Sequence, residues 1–416
     1  MSFIADLHIH SKYSRATSPN ADLEHIAESA EIKGIKVVGT GDFTHPKWLQ
    51  EIEEKLEPAE QGLFKMKKSQ QNKIRFLLSA EISCIYSAKG KVRKIHIVIL
   101  APSMEAVKKI NQSLSKIGNL KADGRPILGL NAKELLKITL EADRDCLFVP
   151  AHCMTPWFGI FGSKSGFDSV EECFDDYSKH IFALETGLSA DPAMIRRIPD
   201  GRRVALISNS DAHSPQKLGR EANVFDADLN YSGIVEAIKS KNPEKFLYTI
   251  EFFPEEGKYH YDGHRACEIS LSPAESKKYN NVCPVCGKPL TLGVANRISE
   301  LSDKEEGFVL DRAVPFKRLI PLKEIIAEAL NCGPSAKKVG TGYDNLITEF
   351  QNEFNVLLNI QESELKKSAP AQIAEGIIRA REGKLFIEPG YDGVFGKIRI
   401  FSEQEKKGLI KQRVLI

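Results

Sequence analysis

The sequence predicts an α/β protein built either as a barrel of strand–helix units or as an open doubly wound sheet. Residues 1–250 alternate seven apolar runs, rich in Val, Ile, Leu and Phe, with seven helical patterns. Apolar runs without polar alternation are typical of parallel strands buried on both faces. Metal-ligand side chains end most of these runs. Both architectures place their chemistry at the carboxyl ends of the strands.

The elements follow one another in a regular order. The predicted strands cover residues 3–9, 36–40, 76–82, 95–100, 146–151, 181–185 and 204–208. The predicted helices cover residues 21–33, 46–56, 103–117, 131–142, 168–179, 191–198 and 230–240. Gly34 and Gly118 close two of these helices, Pro46 opens a third, and Asn131 with Glu134 forms a capping pair.

The composition is that of an ordinary globular chain. Its 416 residues, long enough for two or three domains, are 42% hydrophobic and 27% charged, with a net charge of +2. No apolar run approaches the ~18 residues of a membrane span, and Met1 leads almost directly into a strand, so we expect no membrane partner and no signal peptide. Five of the eight cysteines lie scattered in core-like segments. That usage is typical of a reducing compartment and predicts a cytoplasmic protein.

One segment is strongly basic. Residues 65–94 contain nine Lys or Arg and one acidic residue. This excess fits a solvated hairpin or a patch that faces phosphates, and the sequence leaves both open.

Side chains of the metal-ligand type recur along the predicted barrel. His8 and His10 leave the same face of the first strand. The other polar strand endings are Asp42, Glu81, His152, Glu185, and Asp211 with His213. His96 is an exception, since it opens its strand. So many imidazoles and carboxylates at one barrel rim would be costly to desolvate without a cation, which predicts a multinuclear metal site.

A second ligand cluster follows the barrel. His264-x2-Cys267 and Cys283-x2-Cys286, separated by fifteen residues, have the ligand types and spacing of a structural zinc site. His260 is an alternative to His264. A closed site with four protein ligands stabilises a small module and carries no chemistry.

The loop after His152 concentrates aromatic and phosphate-binding residue types. Its candidate substrate-binding residues are Trp157, Phe158, Phe161, Ser163 and Lys164. Aromatic faces can stack on bases, and a lysine within a glycine turn suits a phosphate. The alternative is a hydrophobic lid packed on the barrel.

The remaining chain carries no recognised catalytic motif. We expect helices over 322–330, 343–357 and 370–382, and short strands over 384–387 and 397–401. The predicted domains are a barrel over 1–255, a zinc module over 256–300, and a mainly helical region over 301–416 that contacts DNA.

The order of the barrel ligands resembles the signature of the PHP (polymerase and histidinol phosphatase) superfamily. The resemblance implies a distorted seven-unit barrel that hydrolyses phosphoesters with two or three divalent metals, whether Zn, Mn, Mg or Fe. The ligands implied by the resemblance are His8, His10, Glu81, His96, His152, Asp211 and His213. Glu81 and Asp211 are the implied bridges between ions, and these two residues with His213 have the implied catalytic roles. Asp42, a strand ending, is a further candidate ligand. Many members carry Asp-Gly-His where this chain has Ser14-Arg15-Ala16, and His where it has Asp42, which leaves the third metal open. His45 could replace that ligand or be a surface histidine.

Further motifs narrow the resemblance to the endonuclease Q family and to bacterial PHP proteins associated with DNA helicases. They are the opening run 6–17, the Trp-Phe-Gly loop 157–159, the entry to the zinc cluster over 254–264, and Glu-Pro-Gly-Tyr-Asp-Gly over 388–393. The resemblance implies a DNA repair endonuclease that nicks 5′ to deaminated bases (uracil, hypoxanthine, xanthine) and to abasic sites, with one structural zinc. Tyr13, Arg15 and Glu185 complete the candidate substrate-binding residues. Single- or double-stranded DNA is the implied partner, and a sliding clamp or helicase is left open.

Two other functions are compatible with the barrel ligands. A small-molecule phosphatase, such as a histidinol-phosphate hydrolase, would share them but would leave the zinc cluster and the long tail unexplained. A non-catalytic scaffold that binds DNA or a helicase is supported only by the missing Asp-Gly-His.

Overall fold

The computed structural model describes residues 2–68 and 73–406. The strands are β1 Phe3–Asp6, β2 Val37–Gly39, β3 Leu56–Pro58, β4 Leu63–Met66, β5 Arg75–Ala88, β6 Lys91–Ala101, β7 Ile127–Leu128, β8 Leu147–Pro150, β9 Ala183–Glu185, β10 Ala205–Ile207, β11 Ala222–Phe225, β12 Phe246–Glu251, β13 Asp262–His264, β14 Ile269–Leu271, β15 Phe316–Arg318, β16 Phe386–Glu388 and β17 Lys397–Arg399.

The helices are α1 Leu23–Lys33, α2 Pro46–Lys55, α3 Met104–Leu114, α4 Ala132–Ala142, α5 Val170–Phe174, α6 Pro192–Ile195, α7 Pro199–Arg203, α8 Tyr231–Ser240, α9 Pro273–Lys278, α10 Val294–Leu301, α11 Leu322–Ala329, α12 Lys337–Phe350, α13 Glu353–Leu358, α14 Glu362–Ser368 and α15 Ala371–Arg381. Short 3₁₀ helices cover Asp175–His180, Pro215–Lys217, Pro254–Glu256 and Arg265–Cys267. In this part of the chain no helix has the length and apolar character to cross a membrane.

A ring of strands forms a distorted barrel. The ladder runs β1-β2-β5-β6-β8, and β9 pairs separately with β10. Two backbone hydrogen bonds link this pair to the ladder: Cys153 N donates to Glu185 O at 2.9 Å, and His10 N donates to Ala212 O at 2.9 Å. The ring therefore closes at two places through isolated backbone hydrogen bonds and not through a continuous ladder, which agrees with the predicted distorted barrel.

All seven predicted barrel strands form, but they are not all parallel. β1, β2 and β5 are parallel neighbours, as are β9 and β10. β6, by contrast, runs antiparallel to both β5 and β8. The structure has no helix between β5 and β6, because a tight connection over Lys89 and Gly90 joins the two strands. A parallel pair needs a crossover, and this connection is too short for one.

The described residues form two compact units, and these differ from the three predicted domains. The first unit comprises residues within 1–31, 35–251 and 294–317, and the second comprises residues within 32–34, 252–293 and 318–416. The segment 294–317 thus belongs to the first unit. The zinc module and most of the tail share the second.

Each unit has its own hydrophobic core. In the first unit, strand side chains such as Ala5, Val37 and Val98 pack with Ile234 of α8. In the second unit, Ile325 and Ile326 of α11 pack with residues of α12 and α15. The predicted helix 343–357 is broken at Gln351, whose φ of 75° ends α12 before α13 begins.

Candidate active site

Histidines and carboxylates from distant parts of the first unit meet at one end of the barrel. The ligand atoms of His8, His10, Glu81 and Asp211 lie within 4.8 Å of one another. His10 Nε2 is 3.0 Å from Asp211 Oδ1 and 3.2 Å from Glu81 Oε2. The structure thus brings together four of the predicted ligands. The carboxylates of Glu81 and Asp211 both face the Nε2 atoms of the two imidazoles.

A second group shares Glu81 with the first. Its members Glu81, His96 and His152 also have ligand atoms within 4.8 Å of one another. Glu81 Oε1 is 2.7 Å from His96 Nδ1 and 3.0 Å from His152 Nε2. The two oxygens of one carboxylate therefore face two separate groups. This supports the predicted bridging role of Glu81.

The structure explains why His96 belongs to the site although it opens its predicted strand: β6 begins at Lys91, so His96 lies inside the strand. His96 pairs with Ser83, two residues beyond Glu81 on β5. Because β6 is antiparallel to β5, its beginning lies beside the later part of β5. The strand-end rule for parallel sheets therefore did not apply to this residue.

Glu185 lies behind His8. Its carboxylate is fully buried and lies 3.0 Å from His8 Nδ1. It also accepts hydrogen bonds from His152 N and Asn209 Nδ2, each at 2.9 Å. A carboxylate enclosed in this way cannot contact substrate, so its predicted role in substrate binding is wrong. It orients the imidazole instead.

Asp42 has the same relationship to His10. Its Oδ1 lies 3.0 Å from His10 Nδ1, and its Oδ2 accepts hydrogen bonds from Ser11 N at 2.7 Å and from Ser14 Oγ at 2.9 Å. Asp42 is fully buried and lies outside both ligand groups of the described residues. The structure therefore places it as the partner of a ligand and not, as predicted, among the ligands. His45 also lies outside both groups, where its ring stacks on Tyr13 with centroids 4.4 Å apart.

These partners fix the tautomers of both ligands. A carboxylate only accepts, so Nδ1 of His8 and of His10 carries the hydrogen, and Nε2 points to the shared site.

Three polar residues that follow barrel strands have left-handed backbone: Asp42 (φ 49°), His152 (φ 29°) and Asp211 (φ 47°). Such conformations cost free energy and cluster at functional sites.

His213 lies beside the first group but outside it. Its ring centroid is 4.5 Å from that of His10, and its Nδ1 is 2.8 Å from the carbonyl oxygen of Asp211. Because a carbonyl only accepts, Nδ1 carries the hydrogen and Nε2 has a free lone pair. His213 stays a candidate ligand or proton acceptor.

The donor atoms fit divalent cations. His8 Nε2, His10 Nε2 and Asp211 Oδ1 are buried and have no hydrogen-bond partner among the described residues. Buried polar atoms are rarely left in this state, and several of them converging on one place indicate a bound ion. Mixed imidazole and carboxylate ligands suit Zn, Mn and Fe.

The charges within the site affect its protonation. Burial alone would lower the pKa of His8, but Glu185, Glu81 and Asp211 raise it well above its usual range. Burial would raise the pKa of Asp211, but the charges of the nearby His8 and His10 imidazoles lower it. Burial lowers the pKa of His96 to about 4, which keeps its imidazole neutral. Without a cation the first group retains protons, and metal binding must displace them.

Arg125 is a residue of this site that the sequence analysis missed. Its Nη1 donates to Glu81 Oε2 at 2.9 Å. The available signal was the turn Asp123-Gly124-Arg125-Pro126 before a short apolar run. A turn of this kind predicts a loop but not the side of the barrel it faces.

The aromatic loop divides between the core and the surface. Phe161 is fully buried, so its predicted contact with substrate is wrong. Phe158 packs on His96 with ring centroids 4.2 Å apart. Trp157 is 50% exposed, with Lys94 Nζ 4.8 Å from the centre of its ring. Ser163 and Lys164 are also exposed, and these two with Trp157 stay candidates for substrate contact.

The two candidates from the opening run have different exposures. Arg15 is 74% exposed, and its Nε lies 3.2 Å from Asp123 Oδ2. Tyr13 is partly buried and donates its hydroxyl to Glu51 Oε1 at 2.7 Å. Arg15 is accessible to a phosphate, whereas Tyr13 is already engaged.

Most of the basic segment is paired with acids. Lys65 lies 3.3 Å from Glu57, Lys73 lies 2.7 Å from Glu31, and Arg75 contacts Glu60. These pairs favour the solvated hairpin. Lys94 has no such acidic partner among the described residues and lies beside Trp157 instead.

In the second unit the predicted zinc ligands converge. The ligand atoms of His264, Cys267, Cys283 and Cys286 lie within 4.8 Å of one another, and His264 Nδ1 is 3.4 Å from Cys286 Sγ. His260 lies outside the group, which decides between the two histidines. Burial alone would raise the pKa of Cys283, but backbone N–H groups of Cys286 and Val285 outweigh it and lower the pKa to about 6, which favours the thiolate that binds zinc.

Solved structures of endonuclease Q match almost the whole chain. The crystal structure of the lesion-specific endonuclease PfuEndoQ from Pyrococcus furiosus matches with a TM-score of 0.86 and 33% identity, over 97% of this chain and 96% of that one. A structure of endonuclease Q with a 27-mer duplex, whose abasic lesion lies at the active site, matches with a TM-score of 0.83 and 33% identity, over 98% of both chains. The chain belongs to the endonuclease Q family.

Other relatives of this endonuclease Q family member are known from sequence. The uncharacterized protein YqxK of Bacillus subtilis is 30% identical over 412 residues, which are 95% of this chain and 98% of YqxK. The uncharacterized protein MJ0043 of Methanocaldococcus jannaschii is 37% identical over 272 residues, which are 62% of this chain but only 33% of MJ0043. The family of the MJ0043 C-terminal domain matches residues 321–384.

Membership of the endonuclease Q family confirms the resemblance drawn from the sequence and the α/β PHP barrel it implied. Candidate ligand groups for divalent metals are present in both units. Among the described residues the barrel has two such groups, and none contains Asp42, His45 or His213.

Proposed function

We propose that this protein is a metal-dependent DNA repair endonuclease. It hydrolyses the phosphodiester 5′ to a deaminated base (uracil, hypoxanthine or xanthine) or to an abasic site. The observation that carries the proposal is the pair of ligand groups that share Glu81, in a chain similar over its whole length to lesion-specific endonuclease Q. The structure of endonuclease Q with an abasic duplex supports duplex DNA as the substrate.

Two ions in the barrel are the occupancy that the ligand geometry favours. His8, His10, Glu81 and Asp211 would hold one ion, and Glu81, His96 and His152 would hold the other. Divalent cations bound there supply positive charge to the phosphate oxygens and acidify a water molecule. A third ion is not part of the proposal, because Asp42 is saturated by hydrogen bonds.

The protein's own groups orient the site and move protons. Glu185 and Asp42 hold the Nδ1 hydrogens of His8 and His10, so that both Nε2 atoms face the shared site. His213 presents an unprotonated Nε2, since its Nδ1 donates to Asp211 O. Burial lowers the pKa of His213, which keeps that atom able to accept a proton from the attacking water near neutral pH.

The exposed part of the aromatic loop is the proposed contact for the lesion strand. Trp157 offers an open face for stacking on a base, and Lys94 lies against its ring. A damaged or mispaired base costs less to unstack than a paired one, which gives one source of selectivity. Ser163, Lys164 and Arg15 would contact the backbone phosphates.

The second unit contributes a structural zinc and further contact with DNA. Three cysteines and one histidine complete a four-ligand set of the structural type. Recruitment of a sliding clamp or a helicase, binding of single strands, and the cytoplasmic location expected from cysteine usage stay predictions.

A nicking assay tests the proposal. Labelled duplexes carrying uracil, hypoxanthine or an abasic site, and an undamaged duplex, are incubated with the enzyme with and without chelator. We expect a nick on the 5′ side of each lesion that chelator abolishes and Mn²⁺ or Mg²⁺ restores. Equal cleavage of damaged and undamaged DNA would contradict lesion specificity. Rapid phosphate release from histidinol phosphate, with no nicking, would favour the small-molecule phosphatase.

A further inference from the structure

A guanidinium lies beside the carboxylate that both ligand groups share. Arg125 Nη1 donates to Glu81 Oε2 at 2.9 Å, and the same oxygen is 3.2 Å from His10 Nε2. The Arg125 side chain is 25% exposed. Its Nε and Nη2 donors contact no acceptor among the described residues. The guanidinium is therefore directed at the reaction site and keeps donors available for a ligand.

The backbone around Arg125 is held in place from several sides. Asp123 Oδ1 accepts hydrogen bonds from Arg125 N at 3.1 Å and from Arg15 N at 3.3 Å. Gly124 N donates to Tyr13 O at 2.9 Å. Asp123 thus connects the loop to the segment that follows His10.

Gly124 itself permits this placement. A Cβ at this position would lie 2.3 Å from Asp42 Oδ2 and 2.4 Å from Ser14 Oγ. The loop is therefore packed directly against the carboxylate that orients His10. The fold therefore fixes the backbone position of Arg125, unlike that of a residue on a freely moving surface loop.

The permanent positive charge of Arg125 beside the ligand groups opposes the binding of cations there. We therefore expect Arg125 to have a function that offsets this cost. Arg stays protonated under all ordinary conditions, and like charges a few ångströms apart repel strongly when partly buried. The four carboxylates of the site, those of Glu81, Asp211, Asp42 and Glu185, carry four negative charges, which two divalent cations would balance. Arg125 then supplies the excess positive charge. A phosphodiester has one negative charge and gains another during hydrolysis.

Building on the proposed function, we propose that Arg125 binds a non-bridging oxygen of the scissile phosphate and stabilises the charge that develops on it. The planar guanidinium matches phosphate oxygens, and its Nε and Nη2 hydrogens are available for that contact while Nη1 remains on Glu81. Arg125 is in this view a catalytic residue, and Asp123 is the residue that positions it.

Three variants test this role. We expect Arg125→Gln and Arg125→Ala to lower the single-turnover rate of hydrolysis roughly 100- to 1000-fold, the usual effect of removing one donor to a developing charge, and Arg125→Lys to retain part of the rate. Metal content measured by mass spectrometry should equal that of the wild type. Millimolar guanidinium should partly restore Arg125→Ala, whereas urea at the same concentration should not. The exposed Arg144→Gln is the matched control and should react at the wild-type rate.

The substrates are chosen so that this inference and the proposed function can fail separately. Hydrolysis is measured on a lesion duplex and on bis(p-nitrophenyl) phosphate, and inorganic phosphate binding is measured by calorimetry. If the wild type does not nick lesions but binds phosphate in an Arg125-dependent way, the endonuclease assignment fails and the role of Arg125 stands. Equal phosphate affinity in wild type and Arg125→Gln overturns the role. A slow Arg125→Ala variant that has lost metal and is not restored by guanidinium also overturns it.

Discussion

The carboxylate of Glu185 and the imidazole of His8 form a fully buried pair, with Glu185 Oε1 3.0 Å and Oε2 3.1 Å from His8 Nδ1. Both oxygens face one nitrogen, so the hydrogen on that nitrogen is fixed, and so is the direction of Nε2. This contact extends over 177 positions of sequence. The orientation of His8, a candidate ligand that follows β1, therefore depends on the last residue of β9.

We therefore predict that Glu185→Gln lowers the affinity of the barrel for Mn²⁺ by 10- to 100-fold, as expected for the loss of a residue that orients a ligand. The neutral amide fills the same space but is a weaker acceptor. Calorimetric titration of metal-free protein measures the change, and circular dichroism checks the fold. Glu236→Gln, at a side chain that is 71% exposed, is the control. Unchanged affinity in Glu185→Gln would show that the pair is only structural.

The sharing of Glu81 predicts different metal stoichiometries for two variants. His96 belongs to one ligand group only, whereas Glu81 belongs to both. We expect His96→Ala to lose about one bound ion per chain and Glu81→Gln to lose both, with nicking abolished in each case. Elemental mass spectrometry after gel filtration counts the ions. Loss of a single ion in Glu81→Gln would contradict the bridging position.

Four of the candidate ligands could be predicted from the sequence because each is tied to a local pattern. His8, His10, His152 and Asp211 follow apolar runs, and the carboxyl ends of such runs meet at one barrel end. The roles of Asp42 and Glu185 could not be predicted in this way. A carboxylate at a strand end looks the same in sequence whether it faces a cation or the back of an imidazole.

The direction of β6 was the second feature that could not be predicted from the sequence. The apolar pattern of β6 does not depend on whether the strand runs parallel or antiparallel to β5. His96 could therefore be placed only through the family resemblance. Arg125 was missed for a related reason, since its loop follows no barrel strand and the position of its guanidinium depends on tertiary contacts to Asp42 and Glu81.

The two aromatic residues of the loop should respond differently to truncation. Trp157 is half exposed, so we expect Trp157→Ala to weaken binding of a uracil-containing duplex by roughly 5- to 150-fold, the equivalent of about 1–3 kcal/mol for one stacked base. Its discrimination between uracil and thymine should also fall. Fluorescence anisotropy on uracil and thymine duplexes measures both. Equal affinities of variant and wild type would show that Trp157 is a surface residue without contact to DNA.

Phe158→Ala should act through the metal site instead. The Phe158 ring packs on His96, and its backbone oxygen accepts a hydrogen bond from His96 N at 2.8 Å. We expect weaker metal binding and a lower cleavage rate at saturating DNA, with little change in DNA affinity. A variant that loses DNA affinity but keeps its metals would contradict this division between the two residues.

The zinc cluster predicts that His264 can be exchanged for cysteine but not for alanine. Cys267, Cys283 and Cys286 converge with His264, and zinc accepts either a nitrogen or a sulfur as its fourth ligand. We expect His264→Ala to release zinc to a chromogenic chelator much faster than the wild type and to melt at a lower temperature. His264→Cys should retain zinc. Equal retention by all three proteins would show that His264 is not a ligand.

A buried carboxylate at the end of β12 predicts a dependence of stability on pH. Glu251 is fully buried, and its burial, together with the nearby charge of Asp191, raises its pKa from 4.5 to about 8. The folded chain therefore holds a proton that the unfolded chain releases near pH 4.5. The contribution of Glu251 to stability is therefore greatest below that pH and falls as the pH rises towards about 8, by at most about 1.4 kcal/mol per pH unit for one proton. Glu251→Gln keeps the shape without the titration. The difference between wild type and variant in urea unfolding should grow between pH 5 and pH 8, in favour of the variant, and parallel pH profiles would contradict a raised pKa at Glu251.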